Sequence, residues 1–237
     1  MTMSASHLLA AFVKEHRQNI GKVVDFNPVT DRLYRFDLTI GNKDLDAATI
    51  ADTEKFSRWI KEKLADNNCV YGFGGYMENR NIYAHSPLFN EGPVPRRHHL
   101  GVDIWASAGT PVYSPLKGKV HSFKNNDSFG DYGPTVILKH DLEGGLKLHS
   151  LYGHLSRESL NALSVGQPIR AGEQIATLGD VTENGHWPPH LHFQLIFDIE
   201  GKQGDYPGVC SLDEKEKYRK NIPDPQLILQ FPKAVNA

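Results

Sequence analysis

The sequence has little of what marks disulfide-bonded, membrane-spanning or nucleic-acid-binding proteins. It contains two cysteines in 237 residues, Cys69 and Cys210, and two distant cysteines in a chain with no recognisable secretory signal predict free thiols. No apolar run approaches the roughly 20 residues that cross a bilayer. The formal net charge of −2 gives no electrostatic reason to expect nucleic acid or an anionic membrane as partner. A hydrophobic content of 39% and a charged content of 23% are typical of a soluble globular protein.

The N-terminus lacks the basic segment that opens a secretory signal. Its short apolar patch is followed at once by Lys14 and Glu15, too early for a signal-peptide core and cleavage site. This pattern predicts a cytoplasmic protein. A periplasmic or extracellular protein from which a signal has been removed is the alternative.

The first 90 residues differ in pattern from those that follow. Residues 8–13 fit a short amphipathic helix, residues 34–40 alternate as a half-buried strand, and Phe56, Trp59, Ile60 and Leu64 recur at helical spacing. We interpret residues 1–90 as an α+β extension packed on the main domain, and residues 201–237 as a tail that wraps this core.

Residues 91–200 read as a mainly β domain. Short apolar segments at 110–113, 119–123, 135–140, 146–151, 174–178 and 191–197 are separated by turn signals rich in Gly, Pro, Asn and Asp. This spacing favours an antiparallel architecture.

The most informative segment lies in the last of these strands, at residues 188–197. Side chains alternate between the faces of a strand, so the apolar residues Leu191, Phe193, Leu195 and Phe197 share one face. His190, His192 and Gln194 share the opposite face, which can therefore present two imidazoles to one point. Such a pair suits a metal site or acid–base chemistry.

Two further segments contain candidate site residues. In the predicted strand around residues 98–105, His99 and Asp103 lie on one face, but full extension would separate them by about 13 Å. They can share an ion only if the chain bends, which Gly101 allows. His98 is the rival of His99, which we prefer for its four-residue spacing to Asp103. The third segment, residues 151–156, adds His154.

Together these segments resemble the lysostaphin-type (M23) zinc metallopeptidases, whose signature is H-x-x-x-D, a Y-x-H-L-like segment and H-x-H. The stretches HLGVDIW, LYGHLS and HLHFQL occur here in that order. The resemblance implies one Zn²⁺ ion held by His99, Asp103 and His192, with His154 and His190 as the catalytic pair. It also implies an antiparallel, β-sandwich-like fold of the duplicated hybrid motif type. The reaction implied is metal-assisted cleavage of an amide bond in peptidoglycan or a Gly-rich peptide.

The chain also departs from the family's pattern. Gln194 follows H-x-H where many members have glutamate, and the approach contains His186 and Trp187, which either line the site or stiffen the strand entry. For Arg80 and Tyr83, exposed turn positions are the favoured interpretation. An inactive M23-like binding or scaffold domain and a histidine phosphocarrier are the alternative functions, and retention of all five expected residues, Asp103 among them, argues against both.

Overall fold

The structure is a computed structural model that describes residues 4–85, 87–90 and 94–236. Its helices are α1 (Ala5–His16), α2 (Ala47–Ile50), α3 (Thr53–Asp66), α4 (Glu158–Asn161), α5 (Lys215–Asn221) and α6 (Gln226–Leu229). Its strands are β1 (Leu33–Phe36), β2 (Tyr71–Gly74), β3 (His98–His99), β4 (Val102–Trp105), β5 (Pro111–Tyr113), β6 (Gly118–Asn126), β7 (Gly133–Asp141), β8 (Lys147–Gly153), β9 (Pro168–Ile169), β10 (Gln174–Thr177), β11 (His190–Ile196) and β12 (Val209–Cys210). Short 3-10 helices occupy Arg17–Asn19, Asn81–His85, Pro87–Phe89 and Glu143–Gly145.

Most of the strands form one eight-stranded sheet in the order β1-β2-β4-β11-β8-β7-β6-β9. Its pairs are antiparallel except for β1 and β2, which run parallel. Two smaller antiparallel sheets pair β10 with β5 and β12 with β3. The predicted mainly β class is confirmed, and the large sheet is mixed because β1 and β2 extend it. The sandwich arrangement is compatible with this topology and stays a prediction.

Strand β11 lies inside the large sheet, between β4 and β8. Leu191, Phe193 and Leu195 enter the main hydrophobic core, which confirms the predicted apolar face for these residues. Phe197 lies just beyond the end of β11 and packs against this core partly buried. The opposite face carries the two histidines and is buried as well. Polar groups on a buried face need partners, so these histidines require hydrogen-bond partners within the protein.

The first 90 residues contribute directly to the sheet that carries the histidines. Strand β2 pairs with β4, placing Gly74 opposite Asp103. Helix α3, capped by the Asp52 side chain, packs Phe56 and Ile60 in a cluster that includes Trp105 of β4. The division into an extension, a core and a tail stays a prediction, and its boundary at residue 91 lies outside the described residues.

Several sequence predictions have definite outcomes. Each of the six segments predicted as strands in residues 91–200 contains a strand, with ends shifted by up to three residues. The predicted strand at 34–40 ends at Phe36, and the one around 98–105 is interrupted at Leu100 and Gly101. The two cysteines are free thiols. Among the described residues, no helix has the length and apolarity to cross a membrane.

Candidate metal centre and catalytic histidines

Three of the predicted site residues, His99, Asp103 and His192, converge on one point. The Nε2 atom of His99 lies 2.9 Å from Nδ1 of His192, and each of these nitrogens lies 3.1 Å from Oδ1 of Asp103. Each of the three residues is at most 3% exposed. Among the described residues they form the one group whose ligand atoms lie close enough together to hold a metal ion.

The convergence of His99 and Asp103 depends on the interruption at Leu100 and Gly101. His99 ends β3, Asp103 lies in β4, and a bend at Gly101 separates them. A Cβ atom at residue 101 would lie 2.7 Å from Nε2 of His192 and 2.7 Å from the carbonyl oxygen of Phe193. Glycine is therefore required here because β11 and the His192 ring occupy the space of a side chain.

His99 presents an unprotonated Nε2 to the cluster. Its Nδ1 atom lies 3.2 Å from the carbonyl oxygen of Gly75, and only a protonated nitrogen can bond to a carbonyl. The ring proton is therefore on Nδ1, and Nε2 carries a lone pair. His98, the rival ligand, is buried but lies outside the cluster, because neighbouring strand residues point to opposite faces.

His192 directs Nδ1, rather than Nε2, towards the cluster. The neighbouring Gln194 side-chain amide determines which of the two ring nitrogens carries the proton. The Gln194 side-chain NH₂ donates to the carbonyl oxygen of Pro207 at 3.1 Å, which leaves its Oε1 2.9 Å from Nε2 of His192. Since Oε1 only accepts, Nε2 must carry the proton and Nδ1 the lone pair. Gln194 therefore accepts a hydrogen bond from the His192 ring, although many family members have glutamate after the H-x-H motif.

These assignments leave two nitrogen lone pairs and a carboxylate oxygen converging with no proton between them. Such an arrangement is repulsive unless a cation lies among the three atoms. Neighbouring ligands of a tetrahedral ion with bonds of about 2.0–2.1 Å are separated by about 3.3 Å, close to the observed 2.9–3.1 Å. The donor set of two histidines and one aspartate therefore fits a metal ion.

The other two predicted site residues, His154 and His190, lie beside this cluster. Their ring centroids are 4.1 Å apart, and Nε2 of His190 lies 3.9 Å from Oδ1 of Asp103. His154 donates from Nδ1 to the carbonyl oxygen of Asn184 at 2.8 Å, and His190 donates from Nδ1 to that of Pro188 at 2.7 Å. Both therefore keep an unprotonated Nε2 that can accept a proton.

Burial keeps these rings neutral while the carboxylate stays charged. It holds the pKa of His154 well below its usual value, lowers that of His190 and lowers that of His99 to about 3. Burial alone would raise the pKa of Asp103, but the positive charge of the neighbouring Arg80 guanidinium outweighs it and holds that pKa well below its usual value. The site thus combines neutral imidazoles with an ionised carboxylate, the protonation states that metal binding requires.

Asp103 and His192 of the cluster, together with His154 and His190, line a cavity of about 220 Å³. Its walls include apolar side chains from the first 90 residues and polar ones from the C-terminal tail: Phe56, Ile82, Tyr83, Leu88, Phe89, Lys202 and Asp205. Trp187 lines the cavity, whereas His186 is exposed and stacks on Phe129.

Three neighbours of the site escaped the sequence interpretation. The prediction of exposed turn positions for Arg80 and Tyr83 is wrong: Arg80 is 0% exposed, Tyr83 is buried, and Arg80 forms an ion pair with Asp103. Tyr132, whose hydroxyl lies 3.3 Å from Nε2 of His192, carried no sequence signal beyond being an aromatic residue in a glycine-rich turn.

Residues 97–205 match the family model described as peptidase family M23. An uncharacterized metalloprotease of Haemophilus influenzae is 35% identical over 162 residues, or 61% of this chain and 30% of that protein. The peptidoglycan DD-endopeptidase ShyA of Vibrio cholerae is 30% identical over 129 residues, or 52% of this chain and 27% of that protein. The catalytic domain of lysostaphin from Staphylococcus simulans shares 23% identity over 74% of this chain and 98% of that domain, with a TM-score of 0.41.

The chain therefore spans less than a third of the length of these two curated relatives. The family match includes the three converging residues and both neighbouring histidines. Residues 97–205, a little under half of the chain, therefore form a region of the peptidase family M23 type.

Proposed function

We propose that this chain is a zinc-dependent endopeptidase that cleaves a peptide bond of peptidoglycan. The observation that carries the proposal is the convergence of His99, Asp103 and His192 with their lone pairs facing one another, beside two histidines with free Nε2 atoms. Two nitrogen ligands and one oxygen ligand suit zinc and leave a further position for water or substrate. At such a position, bound zinc polarises a carbonyl group and lowers the pKa of a water molecule.

The chain's own residues would handle the protons. His154 and His190 are neutral, so their Nε2 atoms can accept a proton from a water molecule poised for attack. Once protonated, the same nitrogens can donate to the developing oxyanion or to the leaving amine. The carbonyl groups of Asn184 and Pro188 hold both rings in the tautomer that this cycle needs.

The substrate is proposed from the relatives. Two proteins of Vibrio cholerae that match this chain, ShyA and ShyB, are named peptidoglycan DD-endopeptidases. Peptidoglycan lies outside the cytoplasm, so this substrate favours the periplasmic or extracellular alternative, and the relatives give no support to the cytoplasmic expectation. A lipoprotein of Escherichia coli, 33% identical over 97 residues, also matches.

The test combines metal content with product analysis. The purified chain, loaded with zinc, is incubated with isolated peptidoglycan, and soluble fragments are identified by mass spectrometry. We expect one zinc per chain and new amino termini at cleaved cross-links. His154→Ala and His190→Ala should keep the zinc and lose cleavage by at least about 100-fold, whereas Asp103→Ala should lose the zinc.

Two outcomes would contradict the proposal in different ways. Zinc binding without cleavage of peptidoglycan or of soluble glycyl peptides would favour the inactive binding domain. Unchanged zinc content in both Asp103→Ala and His192→Ala would refute the ligand assignment itself.

A further inference from the structure

Arg80 is a buried cation directly behind Asp103. Its Nη1 forms an ion pair with Oδ2 of Asp103 and lies 3.2 Å from the hydroxyl of Tyr83, while its Nε lies 2.8 Å from Oε2 of Glu78. The side chain of Arg80 is 0% exposed and that of Glu78 is 11% exposed. A buried charge is costly unless it is paired and hydrogen-bonded, so this network ties two carboxylates to one guanidinium.

The space for this guanidinium is created by the sheet. A Cβ atom on Gly74 of β2 would lie 2.9 Å from Nη2 of Arg80 and 2.7 Å from the ring of Trp105. The guanidinium carbon also lies 5.8 Å from the centre of the Trp105 ring, in the range of a cation–π interaction. A glycine and an aromatic ring therefore hold Arg80 against the site.

The two carboxylate oxygens of Asp103 have different partners because of this ion pair. Oδ2 faces Arg80, whereas Oδ1 faces His99 and His192, 3.1 Å from each. Without Arg80 the carboxylate could turn and offer both oxygens, or neither, to the two histidines. The guanidinium makes the two oxygens inequivalent and leaves one of them for a cation.

The same short segment also holds His99. The Gly75 carbonyl accepts from Nδ1 of the His99 ring, Met77 N donates to His99 O at 2.7 Å, and His99 N donates to Glu78 O at 3.0 Å. Residues 75–80 thus support two of the three proposed ligands. They lie upstream of residues 97–205, the part that matches the M23 family.

We propose that Arg80 is a positioning residue of the metal centre, and that residues 75–80 complete this centre from outside the M23-matched region. Arg80 orients Asp103 so that a single oxygen faces the ion, and Glu78 balances the charge of Arg80. The inference rests on the proposed zinc site and adds to it a requirement for a residue that does not bind the ion.

Charge and orientation predict opposite effects, which makes the inference testable. A positive charge near a cation site weakens cation binding by repulsion, so removal of the charge alone should tighten binding. Loss of orientation should weaken it, typically about 10- to 100-fold for a residue that supports a ligand. Lysine keeps the charge but lacks the planar fork that engages both carboxylates.

The experiment measures the zinc dissociation constant of the full chain by competition with a chromophoric chelator. The variants are Arg80→Lys, Arg80→Met, the double variant Glu78→Gln with Arg80→Met, and Arg58→Met as the control at an exposed arginine of α3. We expect zinc affinity to fall about 10- to 100-fold in the three Arg80 variants and to stay unchanged in the control. Circular dichroism of the metal-free proteins establishes that each variant is folded.

A second readout tests orientation directly. With cobalt in place of zinc, visible absorption reports the number of ligands, and a carboxylate released from Arg80 should change the band intensity in Arg80→Lys. Wild-type affinity and an unchanged spectrum in Arg80→Lys would overturn the inference, as would tighter zinc binding in Arg80→Met. Failure of the wild-type chain to bind zinc would overturn the proposed function, and this inference with it.

Discussion

Replacement of Gly101 by alanine should disturb the metal centre through simple crowding. The new Cβ would lie 2.7 Å from Nε2 of His192, 2.8 Å from its Cε1 and 2.7 Å from the carbonyl oxygen of Phe193. Ordinary contact begins at about 3.4 Å, so roughly 0.7 Å must be recovered by movement of these groups. The φ angle of Gly101 is not among the positive ones, so crowding is the only obstacle.

The effect of Gly101→Ala on zinc binding depends on which group moves to relieve the close contact. The Phe193 carbonyl belongs to β11, which is paired on both sides, so the His192 ring or the bend at residues 100–101 must move instead. Ligand positions tolerate displacements of about 0.5 Å, and an added methyl in a packed core costs about 1–3 kcal/mol. We therefore expect a zinc dissociation constant about 10- to 100-fold higher, and a melting temperature lower by about 2–4 °C for each kcal/mol lost.

The assays are chelator competition for zinc and thermal unfolding of the metal-free chain. Gly41→Ala is the matched control, because its new Cβ would meet only the Thr39 hydroxyl at 3.3 Å in an exposed turn. Zinc affinity within twofold of the wild type, together with an unchanged melting temperature, would refute the crowding argument.

Three further predictions follow from single side chains. Gln194→Met removes the acceptor that holds His192 in its tautomer, so zinc affinity measured by competition should fall about 10- to 100-fold, and an unchanged value would contradict the tautomer assignment. His98→Ala should keep stoichiometric zinc by elemental analysis while His99→Ala loses it, and the reverse result would exchange their roles. Burial lowers the pKa of His140 from 6.5 to about 4, so the unfolded chain takes up this proton at a higher pH than the folded chain does. The contribution of His140 to the free energy of unfolding is therefore complete above about pH 6.5. It falls by up to about 3 kcal/mol as the pH is lowered towards 4. Urea unfolding should therefore show a smaller loss between pH 7 and pH 4.5 for His140→Gln than for the wild type, and equal losses would refute this.

The sequence predicted the residues that share a local pattern. His190 and His192 are two residues apart on a strand, so alternation alone places them on one face, and the structure agrees. The apolar periodicity of α3 is equally local, and Phe56 and Ile60 are buried as the stripe predicts. Local periodicity was sufficient in both places.

The sequence could not predict features that depend on distant partners. Arg80 follows a glycine-rich turn and has no apolar periodicity around it, and its burial follows from an ion pair with Asp103, 23 residues further along the chain. The interruption of the 98–105 strand likewise reflects the His192 ring, which lies where a side chain of Gly101 would be. Neither neighbour is visible in a window of local sequence.

The pairing of ring nitrogens with main-chain carbonyls has a consequence for how this protein can evolve. His99, His154 and His190 each donate to a backbone oxygen, of Gly75, Asn184 and Pro188, and that oxygen persists whichever side chain the residue carries. Mutational drift around the cavity can therefore reshape substrate selection without shifting these ring protons, provided the backbone path is kept. His192 is the exception, since its acceptor is the Gln194 side chain; of these four rings, it is the one whose protonation a single neighbouring substitution can retune.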